Sequence, residues 1–74
     1  MPGKVHMEFT IEYDRETDGR WIAEIPSLPG TMAYGSTAEQ ARAHAQALAL
    51  RVVAERLEHA EAGAESLTIS FRAA

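Results

Sequence analysis

Gly19-Arg20-Trp21-Ile22-Ala23-Glu24-Ile25-Pro26-Ser27-Leu28-Pro29-Gly30-Thr31-Met32-Ala33-Tyr34-Gly35-Ser36-Thr37-Ala38-Glu39-Gln40-Ala41 decides how this chain folds. Arg20 to Ile25 alternates: Trp21, Ala23 and Ile25 take one side, Ile22 and Glu24 the other, the pattern of a half-buried strand. Pro26 has no N–H to give a ladder and ends it. Ser27-Leu28-Pro29-Gly30 makes a tight connection, and Pro29-Gly30 suits the centre of a type II turn, where the glycine takes positive φ. Thr31 to Tyr34 is a short third strand at the edge, broken by Gly35. Thr37 then caps a helix. Its hydroxyl accepts from the N–H of Gln40, and Gln40 reaches back toward the N–H of Thr37, a capping box. Glu39 in the first turn suits the helix dipole.

Working outward, the segment before this stretch supplies a partner strand. From His6 to Asp14, Met7, Phe9, Ile11 and Tyr13 share one face and Glu8, Thr10, Glu12 and Asp14 the other. Asp18-Gly19 marks the hairpin turn between the two strands, because it tolerates positive φ. On the other side, the helix is expected from Ala38 to about His59. Ala41, Ala45, Leu48, Val52 and either Glu55 or Arg56 form its apolar stripe, widened by Ala49, Val53 and Leu57. Ala62-Gly63-Ala64 ends it, with Gly63 suited to the residue just past the last turn. Leu67, Ile69 and Phe71 alternate with Thr68, Ser70 and Arg72 in a last strand.

The order is β-β-β-α-β, an α+β fold. A meander of three strands makes the third parallel to the first, and the crossover helix makes the last strand parallel to the third. The last strand fits beside the first, giving a four-stranded mixed sheet of order 3-2-1-4 with one helix on one face. The opposite face, carrying Glu8, Thr10, Glu12, Ile22, Glu24, Thr68 and Ser70, is left to solvent or a partner.

A chain of 74 residues is expected to be one domain, residues 1–74. At this size only about 60% of the unfolded chain's surface is buried, so the core is marginal. With no cysteine there is no disulfide or thiolate zinc site to strengthen it. Dense packing or self-association is the remaining supplement, and a homodimer or higher oligomer is expected. The formal net charge of −4 argues against binding nucleic acid through its phosphates; it is compatible with a basic protein partner and equally with an ordinary soluble acidic protein. No apolar run approaches the ~20 residues of a membrane span, and Met1-Pro2-Gly3-Lys4 lacks a signal peptide's apolar core. The expected location is cytoplasmic, without membrane contact.

The residue types of catalysis do not assemble. Glu8, Glu12, Asp14, Glu16, Asp18 and Glu24 crowd the first third, but a two-metal nuclease needs carboxylates converging from several elements. His6, His44 and His59 show no zinc spacing. No nucleophile elbow surrounds a serine, and no glycine run cradles a phosphate. No catalytic residue, metal or cofactor is expected. Phe9 and Phe71 read as core, whereas Trp21 and Tyr34, nearer the loops, suit a protein interface.

The spacing of Asp18-Gly19, Trp21, Ile25-Pro26, Leu28-Pro29-Gly30, Gly35, Thr37 and Glu39-Gln40-Ala41 resembles the HicB family of antitoxins of type II toxin–antitoxin systems. The resemblance implies a truncated RNase H-like domain without nuclease activity. It also implies a partner: the HicA toxin, a small basic mRNA-cleaving protein that such antitoxins bind and block. Many of these antitoxins carry a C-terminal DNA-binding domain. The sequence runs only to Ala74, so no such domain, and no autoregulation through it, is expected. On this reading Trp21, Pro26, Leu28, Pro29 and Tyr34 are apolar contacts to the toxin, and Glu24 and Asp18 face its basic residues. Two other readings stand beside it: an orphan self-associating domain with no toxin, and a metal-dependent nuclease of RNase H-like fold.

Overall fold

The computed structural model describes residues 3–59 and 65–74. Its elements are β1 (Lys4–Arg15), β2 (Trp21–Glu24), β3 (Met32–Gly35), α1 (Ala38–Glu58) and β4 (Ser66–Ala73). The strands form one sheet in the order β3-β2-β1-β4, so the α+β topology read from the sequence is the one the chain adopts. β1 outruns its apolar alternation at both ends, because Lys4 and Arg15 still have ladder partners in Ser66 and Trp21.

Glycines shape both hairpin loops. Between β1 and β2 the Gly19 N–H donates to the Glu16 carbonyl at 2.9 Å, and the Glu16 N–H donates to the Arg20 carbonyl at 2.7 Å. Gly19 closes this loop with φ +94°. Between β2 and β3 two turns follow one another: Leu28 N–H to Ile25 O and Thr31 N–H to Leu28 O, each 2.9 Å. Gly30, third residue of the second turn, has φ +86°, the left-handed conformation a type II turn needs there. The double turn folds Leu28 inward to 4% exposure, and Ile25, at its start, is fully buried.

The cap of α1 differs in one detail from the expectation. Thr37 Oγ1 accepts from the Gln40 N–H at 3.0 Å, as a cap should. Gln40 does not return to Thr37. Its Oε1 accepts from the Ser36 N–H at 2.7 Å and the Ser36 hydroxyl at 2.9 Å. The preceding residue offers two donors to one oxygen, which outcompetes the single N–H of a capping box.

The buried stripe of α1 is Ala41, Ala45, Ala49 and Val53, with Leu48 and Val52 only half-buried beside it and Leu57 38% exposed. Ala41 and Ala45 hold their expected places, and in the second half Ala49 and Val53, expected only to widen the stripe, take its centre from Leu48 and Val52. A row of small side chains four apart lets the helix settle close to β2 and β3, the strands it packs against most closely. The larger Leu48 and Val52 flank that contact instead of filling it. Gly35 makes the approach possible: a Cβ there would lie 2.4 Å from the Ala41 nitrogen and 2.9 Å from the Gln40 carbonyl carbon. The expected helix end at Gly63 lies outside the described residues.

β1 changes partner along its length. Glu12–Arg15 pair antiparallel with β2, whereas Lys4–Ile11 pair parallel with β4. The molecule is correspondingly long, 48 × 21 × 16 Å, with a helix-covered hairpin toward one end and the β1–β4 ribbon toward the other. Phe9 is 7% exposed and meets its register partner Phe71 at 5.6 Å between ring centroids. Further along the ribbon Val5, Met7 and Ile69 are only half-buried and Leu67 is 37% exposed.

Candidate protein-binding face

The strand registers determine which side chains share the helix-free face. Tyr34, Ile22 and Asp14 form one row across β3, β2 and β1; Met32, Glu24 and Glu12 form the next. Met32 is 46% and Tyr34 41% exposed, Ile22 is half-buried, and the three carboxylates are exposed. Glu12 and Glu24 are direct cross-strand partners. Side chains so placed have Cβ atoms about 4.5–5.5 Å apart, and like charges there are destabilising. Among the described residues neither has an ion-pair partner. The face therefore combines uncovered apolar surface with two negative charges held side by side.

The residues proposed from the sequence do not form one patch. Tyr34 and Glu24 lie on this face. Pro26 and Pro29 are exposed in the β2–β3 loop, at the Glu24 end of the hairpin. Asp18 is in the β1–β2 loop, at the opposite end. Trp21 shares the helix-side face with Ala23 and packs half-buried against the core. Leu28 is a core residue and offers no surface for contact. Its neighbours in sequence suggested an exposed loop, but two successive turns reverse its direction. Met32, Ile22, Glu12 and Asp14 complete the face and were not singled out as contacts. Alternation already put Ile22 and Glu12 there, but only the register sets Glu12 against Glu24.

Two arginines sit on aromatic rings near the β1–β2 loop. The Arg15 guanidinium lies 5.2 Å from the Trp21 ring centroid, and that of Arg20 lies 4.7 Å from the Tyr34 centroid. From the sequence only Arg20 and Arg72 were placed on or beside strands; the longer β1 adds Lys4 and Arg15. Arg20 also donates from Nε to Asp18 Oδ2 at 2.8 Å, and its N–H donates to Asp18 Oδ1 at 3.0 Å. The backbone N–H of Arg20, then its guanidinium, hold the Asp18 carboxyl below its usual range. Asp18 is thus committed to its own chain, and Asp14 Oδ1 accepts from the Arg15 N–H at 2.8 Å, so that on the open face Glu12 and Glu24 carry the charge without a partner among the described residues.

Among the described residues no three His, Asp or Glu side chains stand close enough to hold a metal ion. Among them, too, no helix is long and apolar enough to cross a membrane. The architecture defines a small α+β protein with a four-stranded mixed sheet and an open sheet face. No family model matches the chain, and no curated protein or solved structure matches it.

Proposed function

We propose that this protein is a HicB-like antitoxin that binds and masks a small, basic, mRNA-cleaving toxin of the HicA type. The observation that carries this reading is the Glu12–Glu24 pair on an open face beside exposed Tyr34 and Met32. A basic partner that places an arginine or lysine between the two carboxylates removes their repulsion, while the aromatic and methionine side chains supply the apolar contact typical of interface centres. The motif spacing around Leu28-Pro29-Gly30 supports the same reading. Inhibition is by occlusion, so the protein performs no chemistry and needs no cofactor. Its place is the cytoplasm, where mRNA is available to such a toxin.

The test is co-purification and calorimetry with a HicA-type toxin encoded beside it. A complex is expected that protects RNA from cleavage and is weakened about tenfold or more by Glu24→Lys. No complex at about micromolar concentration, the range in which specific partners associate, removes the reading.

A further inference from the structure

We infer that Asp18 and Arg20 are positioning residues of the open face: Asp18 clamps the Arg20 guanidinium over the Tyr34 ring, and the clamped cation makes the face select a toxin surface bearing a carboxylate as well as a cation. Asp18 holds Arg20 at two points, its Oδ1 accepting from the Arg20 N–H at 3.0 Å and its Oδ2 from Nε at 2.8 Å. The backbone is fixed there too, because the Arg20 carbonyl accepts from the Glu16 N–H at 2.7 Å and Gly19 closes the loop with φ +94°. Ordering a free arginine costs rotamer entropy at the moment of binding, and a side chain anchored in advance avoids much of it. The anchored guanidinium lies 4.7 Å from the Tyr34 centroid, so the exposed ring has a fixed neighbour as well. The clamp uses only Nε. Among the described residues the two terminal nitrogens have no hydrogen-bond or ion-pair partner, and the Arg20 side chain is 55% exposed.

Strand alternation puts Arg20 on the same side as Ile22 and Glu24. One line along the face therefore reads cation, apolar, anion, with Arg20 about 13 Å from Glu24 at ~3.3 Å per residue. Tyr34 and Met32 flank this line on β3, and Asp14 and Glu12 on β1. A uniformly basic surface suits the Glu12–Glu24 end and is repelled at Arg20, and like charges brought together at an interface select against a partner. The matching surface sets a cation against the two glutamates, an apolar side chain over Ile22, and a carboxylate against the terminal nitrogens of Arg20, whose planar fork accepts it in two bonds.

The selectivity rests on the toxin-binding reading, whereas the clamp is a property of the free protein, and two measurements separate them. In NMR spectra of the full chain alone, the ring current of Tyr34 is expected to move the Arg20 Cδ protons upfield of an ordinary arginine. Tyr34→Leu and Asp18→Asn are each expected to reverse that shift. Asp18, Arg20 and Tyr34 are all exposed, so these variants are expected to melt close to the unmodified chain. In calorimetry with a HicA-type toxin, Arg20→Ala is expected to weaken the complex about tenfold and Asp18→Asn by less. Arg20→Lys keeps the charge without the planar fork and should recover only part of the loss. Unshifted Arg20 protons, or a shift that survives Asp18→Asn, would overturn the clamp. A complex that depends on Glu24 but binds Arg20→Ala as tightly as the unmodified chain would overturn the selectivity and leave the toxin reading standing. No complex with the unmodified chain removes the toxin reading, and the selectivity with it.

Discussion

Two glycines show how differently one substitution acts at single positions. Gly30 has open space where a Cβ would go, so Gly30→Ala costs only the strain of φ +86° in a residue with a Cβ, about 1–2 kcal/mol. Gly35 has ordinary φ but backbone atoms 2.4 Å from the added carbon. Gly35→Ala therefore pushes α1 off the sheet and is expected to cost more, at or above the ~1–3 kcal/mol of an overpacked core. Urea unfolding of the two variants checks the order, and equal losses would contradict the close-approach account. A second residue-scale expectation concerns Asp18, whose carboxyl is held low first by the Arg20 N–H and then by its guanidinium. Its folded pKa lies below the unfolded one. Its contribution to stability is therefore complete above the unfolded value and is lost as pH falls through the folded one. A side-chain carboxyl titration by NMR should place Asp18 below an ordinary aspartate, and Arg20→Ala should raise it.

At the scale of elements, α1 depends on its first turn and on its row of small residues. Thr37→Ala removes the acceptor for the Gln40 N–H and is expected to cost about 1 kcal/mol. Gln40→Ala removes the two bonds that tie Ser36 to the helix, and a loss below that of Thr37→Ala is expected, since those bonds are exposed. Thermal melts of both variants decide the ranking. His44 extends the attachment further along the helix, donating from Nδ1 to the Tyr34 carbonyl at 3.0 Å.

For the whole molecule, the open face sets stability against binding. Glu24→Gln removes a like-charge opposition to Glu12, so the isolated protein should gain a few tenths of a kcal/mol while its affinity for a basic partner falls. Denaturation and calorimetry on the same variant measure the two effects. A variant that loses stability would mean that the carboxylates are not in conflict. The long outline has the same origin as the face: β1 serves two strands on different stretches, so that among the described residues one flank of its first half has no strand paired to it.

The strands, the capped helix, both glycine turns and even the strand order were legible in the sequence. Each follows from alternation, turn chemistry and a crossover rule that act over short stretches or on chain direction. The candidate site was legible only in part: Glu24 and Tyr34 could be recognised, but not that Leu28 would turn into the core while Trp21 and Tyr34 took opposite faces. Tertiary structure alone decided that the helix would bury Ala49 and Val53 more deeply than Leu48 and Val52, and that Glu12 would face Glu24. Those outcomes depend on how closely two elements approach and on which residues of separate strands come level, and neither distance is encoded within any one segment.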